Sequence, residues 1–349
     1  MKADFTQKLM EWNSSANKRE MPWKGETDPY KIWLSEIILQ QTRVEQGWNY
    51  YEKFIKAYPA IHHLAAAGEE EVFKMWEGLG YYTRCRNLIA TARHIAFELK
   101  GIFPATYDDI KQLRGVGPYT AAAIASFAFN EKRAVVDGNV QRVLARYFGI
   151  STPIDTPDGK KLFASLADSL IDEEHPALYN QAIMDFGATI CKPRNPLCDH
   201  CVQSADCQSL HHGFIEQLPV KEKTLTIKLR WLYYFILQFD DSVYIRRRTA
   251  NDIWQGLYEF VLMETDHEIP DPVEQFMNSA ATAAPFTVTF RGDIQRQQLT
   301  HQRINGRFFI LRFDEAPAPP AGYTLIPQDN LNDYAFPKFI NSFLKVNPL

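Results

Sequence analysis

Four of the five cysteines, Cys191, Cys198, Cys201 and Cys207, fall within seventeen residues in the order C-x6-C-x2-C-x5-C. Thiolates are metal ligands, and four of them on one compact loop suit a tetrahedral zinc ion or a [4Fe–4S] cluster. Zinc modules usually pair their cysteines in close knuckles. Here only Cys198 and Cys201 are so paired, and the wide outer gaps favour the larger cubane. A disulfide framework is the weaker reading for an intracellular chain, and four cysteines without metal are the remaining alternative. A metal at this place does not imply redox catalysis. It can instead hold Lys192 and Arg194 against a phosphate backbone.

Two carboxyls have settings that would drive their proton affinities apart. Glu36 lies in Ile32-Trp-Leu-Ser-Glu-Ile-Ile-Leu39, an otherwise apolar helical pattern. Burial there raises the pKa and leaves a proton to donate near neutrality. Alternatively, Glu36 sits on a polar stripe and pairs with Arg43 or Arg19. Asp137 follows Val135-Val136 and precedes Gly138-Asn-Val-Gln-Arg142, which reads as a helix N-terminus whose amides keep a carboxylate ionised. A plain capping aspartate would look the same. One neutral and one anionic carboxyl is the pairing that cleaves a glycosidic bond.

A third element binds rather than reacts. Leu113-Arg-Gly115-Val116-Gly117-Pro-Tyr-Thr-Ala121 joins two helical patterns. Its glycines permit a tight turn. That turn would aim backbone amides at a phosphate, at the start of a helix whose first position Pro118 can occupy. An ordinary helix–helix turn is the alternative.

Positioning these groups falls to a chain of 349 residues, 46% hydrophobic, enough for two or three domains. The net charge of -4 hides an asymmetry: residues 76–150 hold ten Lys and Arg against six Asp and Glu, and residues 151–219 hold four against ten. A local basic face is all that a nucleic acid requires. No apolar run nears the ~18 residues of a membrane span. The N-terminus reads as an amphipathic helix and not a signal peptide. An intracellular monomer is the default expectation.

Residues 1–215 predict helices, with apolar periodicity at Tyr30–Phe54, Val72–Trp76, Leu88–Leu99, Tyr119–Phe129, Val140–Phe148, Lys161–Leu170 and Ala177–Ala188. Asp28-Pro29 is a helix start. Residues 216–224 predict a linker. Leu229–Phe239, Ser242–Arg246, Phe286–Arg291 and Arg307–Phe313 then have strand texture. Ala316–Gly322 predicts a loop and Asp333–Leu344 a closing helix. The fold class is therefore multidomain: an all-helical body followed by a smaller α+β domain.

Taken together, these motifs resemble the MutY family of adenine DNA glycosylases, within the endonuclease III or helix-hairpin-helix superfamily. The resemblance is carried by Met21-Pro-Trp23, Asp28 to Thr42, Gly78-Leu-Gly-Tyr-Tyr82, Gly115-Val-Gly-Pro-Tyr-Thr120, Val136 to Arg146 and the cysteine loop. It is dense over residues 5–215 and loose over 225–349. It implies a six-helix barrel at 27–130 carrying the hairpin, and a [4Fe–4S] subdomain from 1–26 and 131–215. A target adenine would be flipped into the cleft between them. By motif, Glu36 would protonate adenine N7, Asp137 would stabilise the sugar cation, and Asn139 would support them. Tyr119 would contact the reacting centre. Gln41, Thr42 and Tyr81 would occupy or flank the space beside the orphaned oxidised guanine. Arg19 and Trp23 would line the adenine pocket, and Gly115, Val116 and Gly117 would hold the backbone.

Bifunctional relatives place a lysine at the position of Tyr119, and its amine forms a Schiff base with the sugar. A tyrosine cannot, so the expectation is a monofunctional glycosylase. The C-terminal domain resembles a Nudix-like recognition domain through Trp254 to Phe260 and Leu299 to Gln302. It lacks the glutamate-rich helix that holds magnesium in Nudix hydrolases. Thr300 and His301 would recognise 8-oxoguanine, with Leu299 where the family often has Phe. Arg246–Arg248 would meet phosphate or simply solvent, and Cys85 receives no role. The expected partner is double-stranded DNA with A:8-oxoG or A:G mispairs, and no membrane. The competing readings are a bifunctional glycosylase/lyase for oxidised pyrimidines and a non-enzymatic iron–sulfur DNA-binding or redox-sensing protein.

Overall fold

A computed structural model describes residues 2–222, 226–279, 284–318 and 321–349. The N-terminal segment forms α1 (Lys2–Ser15). Asp28 then accepts a hydrogen bond from the Tyr30 amide at 2.9 Å and Pro29 takes the first helical position, starting α2 (Pro29–Leu39). The expected single stretch from Tyr30 to Phe54 is broken here. Gln41 adopts a left-handed φ of 57°, and α3 (Val44–Ala57) begins after it. Then follow α4 (Ile61–Ala66), α5 (Glu69–Trp76), α6 (Thr83–Arg93) with a π-helical turn at His94–Glu98, α7 (Tyr107–Gln112) and α8 (Pro118–Phe129). The helical series ends with α9 (Gly138–Phe148), α10 (Pro157–Asp168), α11 (Pro176–Thr189) and α12 (Gln208–His211).

Two compact units result: Met1–Ala66 with Asn87–Lys223, and Ala67–Arg86 with Thr224–Leu349. The helical unit has a core in which Phe5, Leu9 and Trp12 of α1 pack with Val140, Leu144, Phe163, Tyr179, Ile183 and Phe186. The N-terminal helix and the chain after residue 131 thus share one apolar cluster. Of the expected linker, residues 223–224 lie outside the described residues. The stretch before them is docked and not free: Leu218 is buried in that same core, and the Val220 carbonyl accepts from the Ile154 amide at 3.0 Å.

The second unit is organised by β1 (Lys228–Phe239), whose almost unbroken apolar sequence is buried on both faces. Around it lie β2 (Ser242–Arg247), β3 (Tyr258–Glu259), β4 (Val261–Thr265), α13 (Pro272–Ser279), β5 (Phe286–Arg291), β6 (Gln295–Gln298), β7 (Gln302–Phe313), β8 (Thr324–Pro327) and α14 (Lys338–Val346). The main path of the sheet runs β3-β2-β1-β7-β5. Strands β4, β6 and β8 add to β1, β7 and β2 respectively. β1 and β7 pair in parallel from Lys228↔Gln302 to Phe239↔Phe313, and the other pairs are antiparallel. Alternation along β1 divides the core. Leu232, Tyr234 and Ile236 face Phe339, Ile340 and Phe343 of α14. Tyr233, Phe235 and Leu237 face Val273 and Phe276 of α13.

The closing helix starts later than the expected Asp333. Pro337 restricts the residue before it and Lys338 is the first helical residue. Of the expected loop at Ala316–Gly322, residues 319–320 lie outside the described residues.

Candidate functional site

Glu36 is 8% exposed in the middle of α2. Burial raises its carboxyl from the ordinary 4.5 to about 7, and the nearby negative charge of Asp137 pushes the same way. A hydrogen bond from the Tyr119 hydroxyl, at the start of α8, opposes both. Tyr119 is itself pushed well above 10, first by burial and then by the two carboxyls. Asp137 caps α9, accepting from the Val140 amide at 2.7 Å and from Asn139 Nδ2 at 2.8 Å. The sequence led us to expect only stabilisation of its anion. The Val140 and Asn139 bonds and the Arg142 charge do favour that anion, while burial is the larger influence and moves the carboxyl up from its ordinary value. The anion at Asp137 therefore has several partners, and the anion at Glu36 has Tyr119.

Arg142 supports the cap from behind. Its Nη2 donates to Asn139 Oδ1 at 2.8 Å and to the Gly187 carbonyl at 2.7 Å, and its Nε donates to the Cys191 carbonyl at 2.9 Å. Gly187 is required for this approach, since a Cβ there would lie 2.8 Å from the Asn139 Cβ.

Both carboxyls line one cavity in the helical unit, with about 2130 Å³ of atom-free space counting its open mouth. Arg19, Trp23, Gln41, Thr42, Tyr119 and Asn139 line it too, so these expected site residues converge. Arg19 does not pair with Glu36, as the alternative reading had it, but with Asp185 at 2.8 Å. Sequence reasoning missed Gln181, Met184 and Asp185 of α11, of which the first two line the cavity. The signal was there: Asp185, like Glu36, is a lone acid in an apolar helix.

The hairpin lies between α7 and α8 and does not line the cavity. Gly115 has a φ of +79°, and a Cβ on it would meet Asn87 at 2.7 Å; Gly117, at φ −91°, needs no such freedom. Val116 is buried and the two glycines are exposed.

Cys191, Cys198, Cys201 and Cys207 all line a second, smaller space of about 330 Å³, together with Arg146. Arg146 straps the loop: Nη1 donates to the Lys192 carbonyl at 2.7 Å and to Cys191 Sγ at 3.6 Å, and Nη2 to the Pro193 carbonyl at 3.2 Å. Among the described residues no three His, Cys, Asp or Glu side chains close in on one point as a single metal ion would need.

In the second unit, Thr300 and His301 are exposed in the turn between β6 and β7. The Thr300 hydroxyl shares a hydrogen bond with the Tyr81 hydroxyl at 2.5 Å. Tyr81 has a left-handed φ of 48° and stands 47% exposed. Leu299 packs against the sheet core. Arg246, Arg247 and Arg248 are paired with carboxylates and not simply solvated. Arg246 and Arg248 pair with the buried Glu259, and Arg247 pairs with Glu69. Their charges are already matched within the unit.

Residues 34–167 match the family of HhH-GPD superfamily base excision DNA repair proteins, and residues 232–346 match the NUDIX domain. The solved structure of a thermostable thymine-DNA glycosylase is similar, with a TM-score of 0.56 and 31% identity over 60% of this chain and 97% of that one. A trapped endonuclease III–DNA covalent intermediate, at 20% identity, shares the fold over 61% of this chain and 98% of its own, with a TM-score of 0.53. The helical fold, hairpin and acid-lined cavity thus define a helix-hairpin-helix base excision DNA glycosylase. The adenine DNA glycosylase of Buchnera aphidicola subsp. Baizongia pistaciae is 37% identical over 257 residues, covering 73% of each chain. The chain belongs to the adenine DNA glycosylase (MutY) family and is a monofunctional, DNA-binding glycosylase of base excision repair. No described helix is long and apolar enough to cross a membrane.

Proposed function

We propose that the enzyme releases adenine mispaired with 8-oxoguanine or guanine, with Glu36 as general acid and Asp137 as the stabiliser of the sugar cation. The observation that carries this is the pair of carboxyls on one cavity, the first held at about 7 by burial and the second bonded by a helix N-terminus. An adenine turned out of the duplex enters the cavity between Trp23, Arg19 and Tyr119. Glu36 transfers its proton to N7, which withdraws electron density from the C1′–N9 bond. That bond breaks with its electron pair going to the base. Asp137 faces the oxocarbenium ion, water adds to C1′, and the proton lost from that water returns to solvent or Glu36. The products are adenine and an abasic site.

DNA would be held by the Gly115–Gly117 amides, with Gln41 and Thr42 beside the orphaned base. Tyr81, Thr300 and His301 would read the oxidised guanine from the Nudix-like unit. The chain before the Nudix-like domain would divide into a barrel of residues 27–130, of which 67–86 group with the sheet unit, and a cluster-bearing subdomain of residues 1–26 and 131–215. The four cysteines fit a [4Fe–4S] cluster, because all four line one small space with the spacing that the family uses for it. When bound, the cluster would supply a cross-link that stiffens the loop bearing Lys192 and Arg194, with no electron required for base release. The enzyme would act as a monomer, inside the cell where its DNA substrate is.

A single-turnover assay on duplexes with A:8-oxoG, A:G, A:C and A:T tests this reading. Release should be fastest from A:8-oxoG and slowest from A:T. Equal rates on all four would refute the assignment of Tyr81, Thr300 and His301.

A further inference from the structure

Asp185 has no exposed surface. A carboxylate persists in such a place only when it is paired and hydrogen-bonded. Its partners all come from one stretch of chain. Asn17 Nδ2 lies 2.8 Å and Lys24 Nζ 3.2 Å from Oδ2, and Arg19 Nη1 lies 2.8 Å from Oδ1. The same stretch is tied to itself: Lys24 Nζ donates to the Arg19 carbonyl at 2.9 Å, and the Arg19 amide to Asn17 Oδ1 at 3.0 Å. Residues 17–21 belong to no helix or strand, so no backbone ladder fixes their path. Yet Arg19, Met21, Trp23 and Lys24 form one wall of the cavity that Glu36 and Asp137 share, and Met184 and Gln181, on the helix of Asp185, continue it.

We infer that Asp185 is a positioning residue for base release, holding Arg19 and Lys24, and with them the 17–24 wall, against the extruded base. It touches no substrate itself. The inference rests on reading this cavity as the base pocket. Glu36 and adenine N7 must come within hydrogen-bonding reach, and a displaced wall lets the base settle out of line with its acid. Such misplacement costs about 10- to 100-fold in rate.

Asp185→Asn keeps the volume and one acceptor and removes the charge that draws in two cations. Single-turnover release from A:8-oxoG duplex by excess full-length enzyme should fall about 10- to 100-fold. Affinity for a duplex with a non-hydrolysable 2′-fluoro adenosine should stay within about threefold, since the loss lies in the chemical step. The pH at which the rate falls off, set by Glu36, should not move. Arg19→Gln added to Asp185→Asn should cost less than about twofold more, because both break one interaction. Should Asp185→Asn fail to fold, Arg19→Gln and Lys24→Met attack the same pairs from their half-exposed ends. Each must then slow release at an unchanged Tm, and together they must cost less than the product of the two. Full activity in Asp185→Asn, or independent, multiplying effects of the substitutions, would overturn the inference. A parent enzyme that released no adenine would instead break the reading of the cavity itself.

Discussion

The acid-lined cavity of the helical unit and the Leu299–His301 turn of the sheet unit handle polar groups in opposite ways. In the cavity, Glu36 sits inside a helix of buried neighbours and its proton affinity is set by lack of solvent. In the turn, Thr300 and His301 stand in solvent, and one hydrogen bond between the Thr300 and Tyr81 hydroxyls ties the tip to a distant region of the sequence. Chemistry needs a fixed, desolvated proton. Discrimination between two bases needs only groups that pair with one and are left unpaired by the other. Substitutions in the cavity should therefore change rates by orders of magnitude, and those in the turn should change ratios between substrates by small factors.

The sharpest way to break that contrast is Glu36→Gln. Removing a general acid costs about 10²- to 10⁴-fold, so single-turnover release should fall into that range while duplex affinity is nearly kept. The same change should stabilise the fold in alkaline solution. The folded chain holds the Glu36 proton to about pH 7, and the unfolded chain loses it near 4.5. Below 4.5 both states are protonated and the residue is neutral with respect to stability. Between 4.5 and 7 the unfolded state ionises and gains, so folding stability falls as pH rises. Glutamine never ionises. The variant should therefore match the parent in folding stability below pH 4 and exceed it at pH 8 by on the order of 3 kcal/mol. An active variant, or one with no pH-dependent gain in Tm, would show that Glu36 is not the buried acid.

Tyr119→Phe sharpens the picture with a smaller effect. The tyrosine hydroxyl donates to the Glu36 carboxyl and favours its anion. Without it, burial and the Asp137 charge act unopposed, and the Glu36 pKa must rise above about 7. In the proposed mechanism release requires the protonated acid, so the alkaline fall in rate should move to higher pH. A rate–pH profile that stays in place or moves down would separate Tyr119 from Glu36. The parent should also give little covalent capture with borohydride on abasic DNA, since Tyr119 offers no amine.

Much of this architecture was legible locally. Asp28-Pro29 and Asp137 declare helix starts because capping is a matter of one side chain and the next few amides. Glu36 stood out as the one acid in an apolar helix, and β1 and the second half of β7 stood out as apolar stretches. What was hidden depends on residues far apart. Gln41 turns left-handed with no glycine or proline to announce it, and that turn delivers Gln41 and Thr42 to the cavity. The upward shift of Asp137 comes from burial by other elements, while its local amides argued for the reverse. Strand β6, Gln295–Gln298, has no apolar alternation and exists because β7 offers it a ladder. The grouping of Ala67–Arg86 with the C-terminal unit leaves no mark in composition.

On the recognition side, Thr300→Ala removes both the tip hydroxyl and the hold on Tyr81. Release from A:8-oxoG should fall about 3- to 10-fold, and release from A:G by less, since one hydrogen-bonding partner is worth about that much. The ratio of the two single-turnover rates is the measurement. An equal loss on both substrates would mean that the turn supports binding in general and reads no oxidised base.

The smallest effect is forecast for the arginine run Arg246–Arg248, for which sequence alone left phosphate and solvent as equal alternatives. Arg247 is half-buried and its guanidinium lies 3.4 Å from Glu69, while Arg246 and Arg248 share Glu259, which is 1% exposed. A cation already matched by a carboxylate of its own unit brings little net charge to a phosphate. A phosphate contact, by comparison, would contribute close to one unit to the slope of log affinity against log salt. Arg247→Ala should therefore leave duplex affinity within about twofold and the salt slope unchanged. A slope reduced by about one would move Arg247 from the interior network to the DNA, and the sheet unit would then hold the duplex as well as read it.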